Sequence, residues 1–372
     1  MSSFKGSLSN IEACEAVAEA LSQRNIQTRV LPIGDGGAGT MRTVQLAMGG
    51  EITTIDSQGP LGQKVEAKVL CLPNAQQPDF VYIESSEACG HHLVHAEERD
   101  AMRASSHGLG LIILGALQRW HSSLKRIFVG LGDSATSDVG MGMLGGLGYS
   151  FYDTGGRVLW GNAETLRLLH AFEPPRDRPW EKVRFTVLCD VLNPLLGPHG
   201  SARTFSRQKG ASPGQVSLIE QGMEHFVSVI QKTLGHSPRY EPMTGSAGGL
   251  SAAFKTFFDA ELVHGARFLL DWIGFDRIMD EVAFLITGEG RTDYQTMSGK
   301  APMECLERAG RMGKRSLVIS GALADGYEPL LRRPGVMGVF ACGQDPSAKQ
   351  ALTSKVLDIF SGTELVSALT EP

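Results

Sequence analysis

The carboxyl-terminal part of the chain alternates apolar runs with helical ones, and every join is short and rich in glycine. AFLITGEG reads as a strand, KAPMECLERAGRM as a helix, SLVISGAL as a strand, YEPLLRRP as a short helix and GVFACG as a strand, with a closing helix from about Ala348. Apolar strands separated by 3.6-period segments pack as a parallel sheet with helices on its faces, because each strand must return to the same edge through a crossover. The first residues keep the same rhythm. Ser9 is placed to cap a helix running to about Arg24, TRVLPI at 28–33 reads as a short buried strand, and GDGGAGT turns into a helix through MRTVQLAMG. That is an αβα start, with no strand ahead of the opening turn.

Between the two ends the style changes. EITTIDSQGPLGQKVEAKVLCLP alternates apolar and polar residues around a Gly-Pro turn, as antiparallel strands do. FVYIES, RIFVGLG and VRFTVLCDV are further strands, RASSHGLGLIILGALQRW is a helix, and Pro and Arg crowd an exposed connection at 173–182. The expected architecture is therefore α/β. A doubly wound parallel sheet is built from both termini (residues 1–50 and 280–372), and a second α/β domain is inserted at 51–279.

Composition narrows the partners. A net charge of −5 supplies no basic field for nucleic acid or an anionic membrane, so an anionic ligand must be met by local amides and a few cations. The longest strongly apolar run, LGLIILGAL at 109–117, is too short to span a bilayer. Six cysteines without a C-x-x-C pair read as reduced thiols, and the chain is expected to be soluble and cytoplasmic.

Five loops have the composition of ligand sites. Phe4-Lys5-Gly6-Ser7 is a tight turn opening a helix, where clustered amides suit an anion. Asp35 ends an apolar run and is followed by Gly36 and Gly37; the pattern fits either a ligand loop at a sheet's carboxyl edge or a plain capped turn. GLGDSATSDVGMGM offers amides and hydroxyls, with Ser134, Thr136, Ser137 and Asp138, but no Gly-Lys-Ser/Thr follows and it is not a Walker loop. Asp190 ends VRFTVLCD ahead of Asn193 and, further on, Gln208-Lys209-Gly210; an acid there suits Mg²⁺, which takes one or two carboxylates plus substrate oxygens. Glu289, Arg291, Asp293, Gln295 and Lys300 crowd one strand-to-helix loop, a mixture of acids and cations that fits phosphoryl transfer. Glu87, His91 and His95 have metal-like spacing, but Gly90 interrupts the helix they would share, and ordinary histidines are the better reading.

Taken in order, S-F-K-G-S, L-P-x-x-D-G-G, G-L-G-x-S-A-T, C-D-V-x-N-P-L-L-G-P, Q-K-G-A-S-P, A-G-G-L and I-T-G-E-G-R-x-D-x-Q-T-x-x-G-K-A-P resemble the glycerate kinase type I family, from Ser3 to the last strands. The resemblance implies phosphorylation of D-glycerate by ATP with Mg²⁺ to 2-phosphoglycerate, in a flavodoxin-like domain made from both ends with a different α/β domain inserted. It implies catalytic roles for Asp190, Glu289, Asp293 and Arg291, with Asp190 and Asp293 also as metal ligands. Substrate or phosphate would meet Ser3, Lys5, Gly6, Ser7, Asp35, Gly36, Gly37, Ser134, Asp138, Asn193, Gln208, Lys209, Gln295 and Lys300. The partners implied are glycerate and ATP, with a homo-oligomer left open.

Three departures bear on structure. Family members carry a short apolar strand and Pro-Asp directly ahead of S-F-K-G-S, where this chain has Met1-Ser2, so it is expected to be an N-terminally short version of a longer chain. Asp133, Ser137 and Val139 stand where the family has Gly, Asn and Gly, which puts a β-branched residue at a position suited to positive φ. Ala38 replaces a usual Glu. These departures motivate a second reading, a catalytically impaired relative that binds a hydroxy acid or nucleotide as a regulatory or partner subunit.

Overall fold

The computed structural model describes residues 1–372 apart from 5, 6, 295, 297–299, 344–346, 363–367 and 370–372. The chain is a mixed α/β protein that divides into two compact units. One comprises Met1–Asp35, Arg42–Ala47 and Ala266–Pro372, the other Gly36–Met41 and Met48–Gly265.

In the terminal unit, three parallel strands stand in the order Val336–Ala341, Arg315–Ser320, Phe284–Thr287. Period-two alternation divides the central strand between the two faces. Leu317 and Ile319 pack with Ala13, Val17 and Leu21 of the helix Asn10–Ser22 and with Leu352 and Val356 of the helix Ala348–Ile359, whereas Val318 turns the other way, onto Met303, Leu306 and Leu330. The first helix begins as its sequence indicates. Ser9 accepts from the Glu12 amide, and the Glu12 carboxylate accepts from the Ser9 amide at 2.8 Å, a closed capping box.

TRVLPI departs from expectation. Residues 27–32 belong to no strand and make no backbone–backbone hydrogen bond among the described residues, and Val30 is exposed. The sequence has the propensity for a strand, but it pairs with no strand among the described residues. Where the chain opens, partial ladders form on both flanks. Ser2 donates to the Gly288 carbonyl at 2.8 Å, and Ile33 donates to the Met1 carbonyl at 3.1 Å. Next to Met1 the two flanks diverge around a cleft of about 450 Å³, lined by Val17, Leu21, Leu31, Phe275, Phe284 and Ile286.

The second unit carries a six-stranded sheet in the order Glu51–Gln58, Lys64–Leu72, Phe80–Glu84, Arg126–Gly130, Arg184–Cys189, Glu261–His264. Its first two pairings are antiparallel and the remaining three parallel. The helix His107–Arg119 lies in the crossover between the strands Phe80–Glu84 and Arg126–Gly130. Its Leu109, Ile112, Ile113 and Ala116 enter the same core as Val81, Ile83, Ile127 and Val129. No described helix is long and apolar enough to cross a membrane.

Candidate active site

In the second unit, the glycine loop at 36–39 and the loop at 131–140 meet at the carboxyl ends of the parallel strands. This is the edge where open α/β sheets bind ligands. Gly132 donates to the Gly36 carbonyl at 3.1 Å, and the Ala38 amide donates to Asp133 Oδ2 at 3.2 Å. Gly130 has to be glycine for this meeting, because a Cβ there would stand 2.4 Å from the Gly36 oxygen. From the same 131–140 loop, Val139 donates to the Gly248 carbonyl, so A-G-G-L at 247–250 joins the same cluster.

The backbone of these loops is strained. Asp133, Val139 and Ala247 have φ of 60°, 52° and 51°, a region that costs an L-residue about 1–2 kcal/mol. The β-branched Val139 thus occupies the positive-φ position that the family's glycine implies, held there with only 1 % of its surface exposed. Strain of this kind persists where the surroundings over-determine it and is concentrated at functional loops.

Two residues expected to meet ligand are instead enclosed by the protein. Asp138 is fully buried and accepts from the Ser106 amide and hydroxyl (2.8 and 2.7 Å), the Gly140 amide (3.1 Å) and the Gly142 amide (3.2 Å). Burial pushes its carboxyl up, and those donors pull it back. Lys209, 3 % exposed, donates from Nζ to the Thr136 carbonyl at 2.5 Å. Burial lowers its ammonium to about 8, against the opposing pull of Asp138, Cys89 and Asp190. Both side chains therefore brace the 134–138 loop from behind. Ser134, also buried, pairs with the Thr136 hydroxyl at 3.0 Å. Asp190 and Gln208 are exposed, and the Asn193 side chain donates to the His199 carbonyl at 2.8 Å.

The terminal unit holds the second cluster, just past the strand Phe284–Thr287. Glu289 is 7 % exposed, and its carboxylate accepts from Thr296 Oγ1 at 2.6 Å, Thr292 Oγ1 at 3.4 Å and Lys300 Nζ at 3.4 Å. Burial pushes its carboxyl up, opposed first by the Lys300 charge. Thr292 also pairs with the Ser320 hydroxyl at 2.7 Å. Arg291 is exposed and reaches Asp293 at 3.4 Å. Ser3 comes to this loop through its carbonyl, which accepts from Gly290 at 3.3 Å, while Ser7 folds back to the Phe4 carbonyl. Asp35 is half-buried in this unit. Lys5, Gly6 and Gln295 lie outside the described residues.

Sequence reasoning missed Glu84, whose carboxylate holds two amides of the 36–41 loop, and the hydroxyls of Ser106, Thr292, Thr296 and Ser320. The signal for Glu84 was the one used for Asp35 and Asp190, an acid ending an apolar strand. Glu87, His91 and His95 do not share a helix, since Ser86–Cys89 ends before Gly90 and a separate 3₁₀ turn covers His91–Leu93. No group of three His, Cys, Asp or Glu side chains suited to a metal occurs among the described residues.

Strained glycine loops at the carboxyl edge of a parallel sheet, with a buried acid–lysine–hydroxyl network past another parallel strand, define an α/β protein equipped to handle small anions. The glycerate kinase family model matches residues 1–364, and the chain belongs to that family. It is 32 % identical to a glycerate kinase of Halalkalibacterium halodurans, over 91 % of this chain and 88 % of the relative. It is likewise 32 % identical to the glycerate 2-kinase of Escherichia coli K12, with the same coverage of 91 % and 88 %. A crystal structure described as a glycerate kinase 2 from Salmonella typhimurium LT2 superposes with a TM-score of 0.79 at 28 % identity, over 99 % of this chain and 97 % of that one.

Proposed function

We propose that this chain transfers the γ-phosphoryl group of ATP to D-glycerate, giving 2-phosphoglycerate, with Mg²⁺ as cofactor. Family membership over nearly the whole chain supports the reaction class, and the Glu289–Lys300–Thr292–Thr296 network is the observation that carries the site. The residues suit Mg²⁺, which binds through one or two carboxylates with phosphate and water oxygens completing its shell. Asp293, or separately Asp190 at its exposed strand end, would supply a carboxylate for it. When bound, the ion supplies charge neutralisation at the phosphates.

The reaction forms a bond between the glycerate C2 oxygen and the γ-phosphorus and breaks the bond to the β,γ-bridging oxygen. The hydroxyl proton passes to a carboxylate. Glu289 is the candidate acceptor in this reading, because burial gives its carboxyl a higher proton affinity than an exposed glutamate has. Lys300 and Arg291 offset the charge gathering on the transferred group. The glycine loops present backbone amides where a side chain would block approach.

A coupled ADP-release assay with D-glycerate tests the reading, with the product's phosphate position read by ³¹P NMR. The expected result is glycerate-dependent ADP release and the signal of a 2-phosphate. A folded protein that releases no ADP above the glycerate-free rate overturns it.

A further inference from the structure

We infer that Glu84 is a positioning residue whose carboxylate presets the geometry of the 36–41 glycine loop. The inference rests on the reading that this loop meets ligand, but the clamp itself is a matter of geometry. Glu84 closes the strand Phe80–Glu84 at the carboxyl edge and is 4 % exposed. Oε1 accepts from the Met41 amide at 2.5 Å and Oε2 from the Gly39 amide at 3.2 Å. Both amides belong to the turn that opens the helix Thr40–Met48, where unsatisfied N–H groups and the helix dipole favour an anion. A carboxylate of the protein fills that role.

The loop is gripped at other points as well. Asp133, from the loop after the adjacent strand, takes the Ala38 amide, and Thr40 Oγ1 accepts from the Gly36 amide at 3.2 Å. At least four of the six amides between Gly36 and Met41 thus have side-chain acceptors. Such a loop does not have to be ordered by its ligand, which removes part of the entropic cost of binding.

A buried carboxylate is an expensive way to hold two amides. The charges acting on Glu84 are Glu87, on the short helix Ser86–Cys89, and Asp133, and both are negative; the 36–41 loop contributes no titratable side chain. Burial first, then these neighbours, raise its carboxyl to about 7, against the pull of the two amides. The ionised group accepts from both amides. The protonated group carries an O–H and keeps one good acceptor, so one clamp is lost. As pH falls through about 7, the loop should loosen; as it rises, the loop should tighten.

Two measurements test this. In the parent protein, hydrogen exchange in fragments covering residues 36–42, corrected for the intrinsic chemical rate, is expected to rise about tenfold between pH 8 and pH 6, the loss of one charge-assisted bond. In Glu84→Gln, which offers one acceptor at every pH, exchange should be raised and flat across that range. Its kcat/KM for glycerate should be about tenfold lower at pH 8, without the parent's fall below pH 7. Exchange in the parent that is independent of pH, or a variant that keeps the parent's exchange profile, overturns the inference. The parent profile decides the matter even if the variant misfolds. An inactive parent with a pH-dependent loop would sink the kinase reading and leave the clamp standing.

Discussion

Replacing Lys300 by Met is expected to lower kcat/KM for glycerate by about 10²–10³-fold, the usual loss when one preorganised charge partner is removed from a phosphoryl-transfer site. Methionine fills similar space, so packing changes little and the effect is electrostatic. Lys300 Nζ lies 3.4 Å from Glu289 Oε2, and its charge is the largest influence opposing the burial that pushes the Glu289 carboxyl up. Without it, the Glu289 carboxyl is pushed up further and holds its proton more tightly. The same substitution has a signature in stability. A carboxyl whose folded pKa lies above its unfolded value binds more protons in the folded state, so stability falls as pH rises between the two values. Lys300→Met raises the folded value further. Its stability deficit relative to the parent should therefore be larger at pH 8 than at pH 5. Steady-state kinetics and urea unfolding at the two pH values check this. A kcat/KM within threefold of the parent would remove Lys300 from the chemistry.

The Glu289–Lys300 pair was legible before the fold was known because it is local. The partners are 11 residues apart, on one loop between a strand and a helix. The strands Phe284–Thr287, Arg315–Ser320 and Val336–Ala341 were legible for the same reason, since apolar runs and glycine joints are properties of short segments. Asp138 shows where that reading stops. Its loop was identifiable, but its hydroxyl partner Ser106 is 32 residues away, and nothing local reveals that the carboxylate faces inward. Lys209 repeats the lesson, as a lysine in a polar motif reads as a ligand for phosphate until burial shows it bracing the Thr136 carbonyl. TRVLPI is the converse case. Its composition is that of a strand, yet a strand requires a neighbour, and propensity carries no information about who that neighbour is. Val139 was readable only through the resemblance, because the family has Gly at its position and a β-branched residue there must take the positive φ that glycine takes easily.

Gly288→Ala is expected to lower the unfolding free energy of the terminal unit by about 3 kcal/mol, in the upper range for overpacked sites. A Cβ on Gly288 would stand 1.8 Å from the Ile319 carbonyl oxygen and 2.7 Å from its carbon. These are backbone atoms of the neighbouring strand, so no side-chain rotation relieves the clash and the strands must separate by more than 1 Å. The separation would act directly on the candidate chemistry. Gly288 accepts from Ser2, and the next residue, Glu289, accepts through its own carbonyl from Gly321 at 3.1 Å. Moving this strand end therefore shifts the Glu289 carboxylate away from Thr292 and Thr296, whose positions follow the Arg291–Thr292 pairing with Ala322–Leu323. Gly214→Ala provides the control, since a Cβ there meets nothing within 4 Å and alanine favours the first turn of the helix Pro213–Leu234. Urea unfolding of the two variants should separate them, with Gly288→Ala shifted to lower midpoint and Gly214→Ala at or slightly above the parent. If Gly288→Ala unfolds with the parent, backbone proximity to Ile319 does not constrain this position, and the glycine that follows Phe284–Thr287 is a matter of turn formation alone.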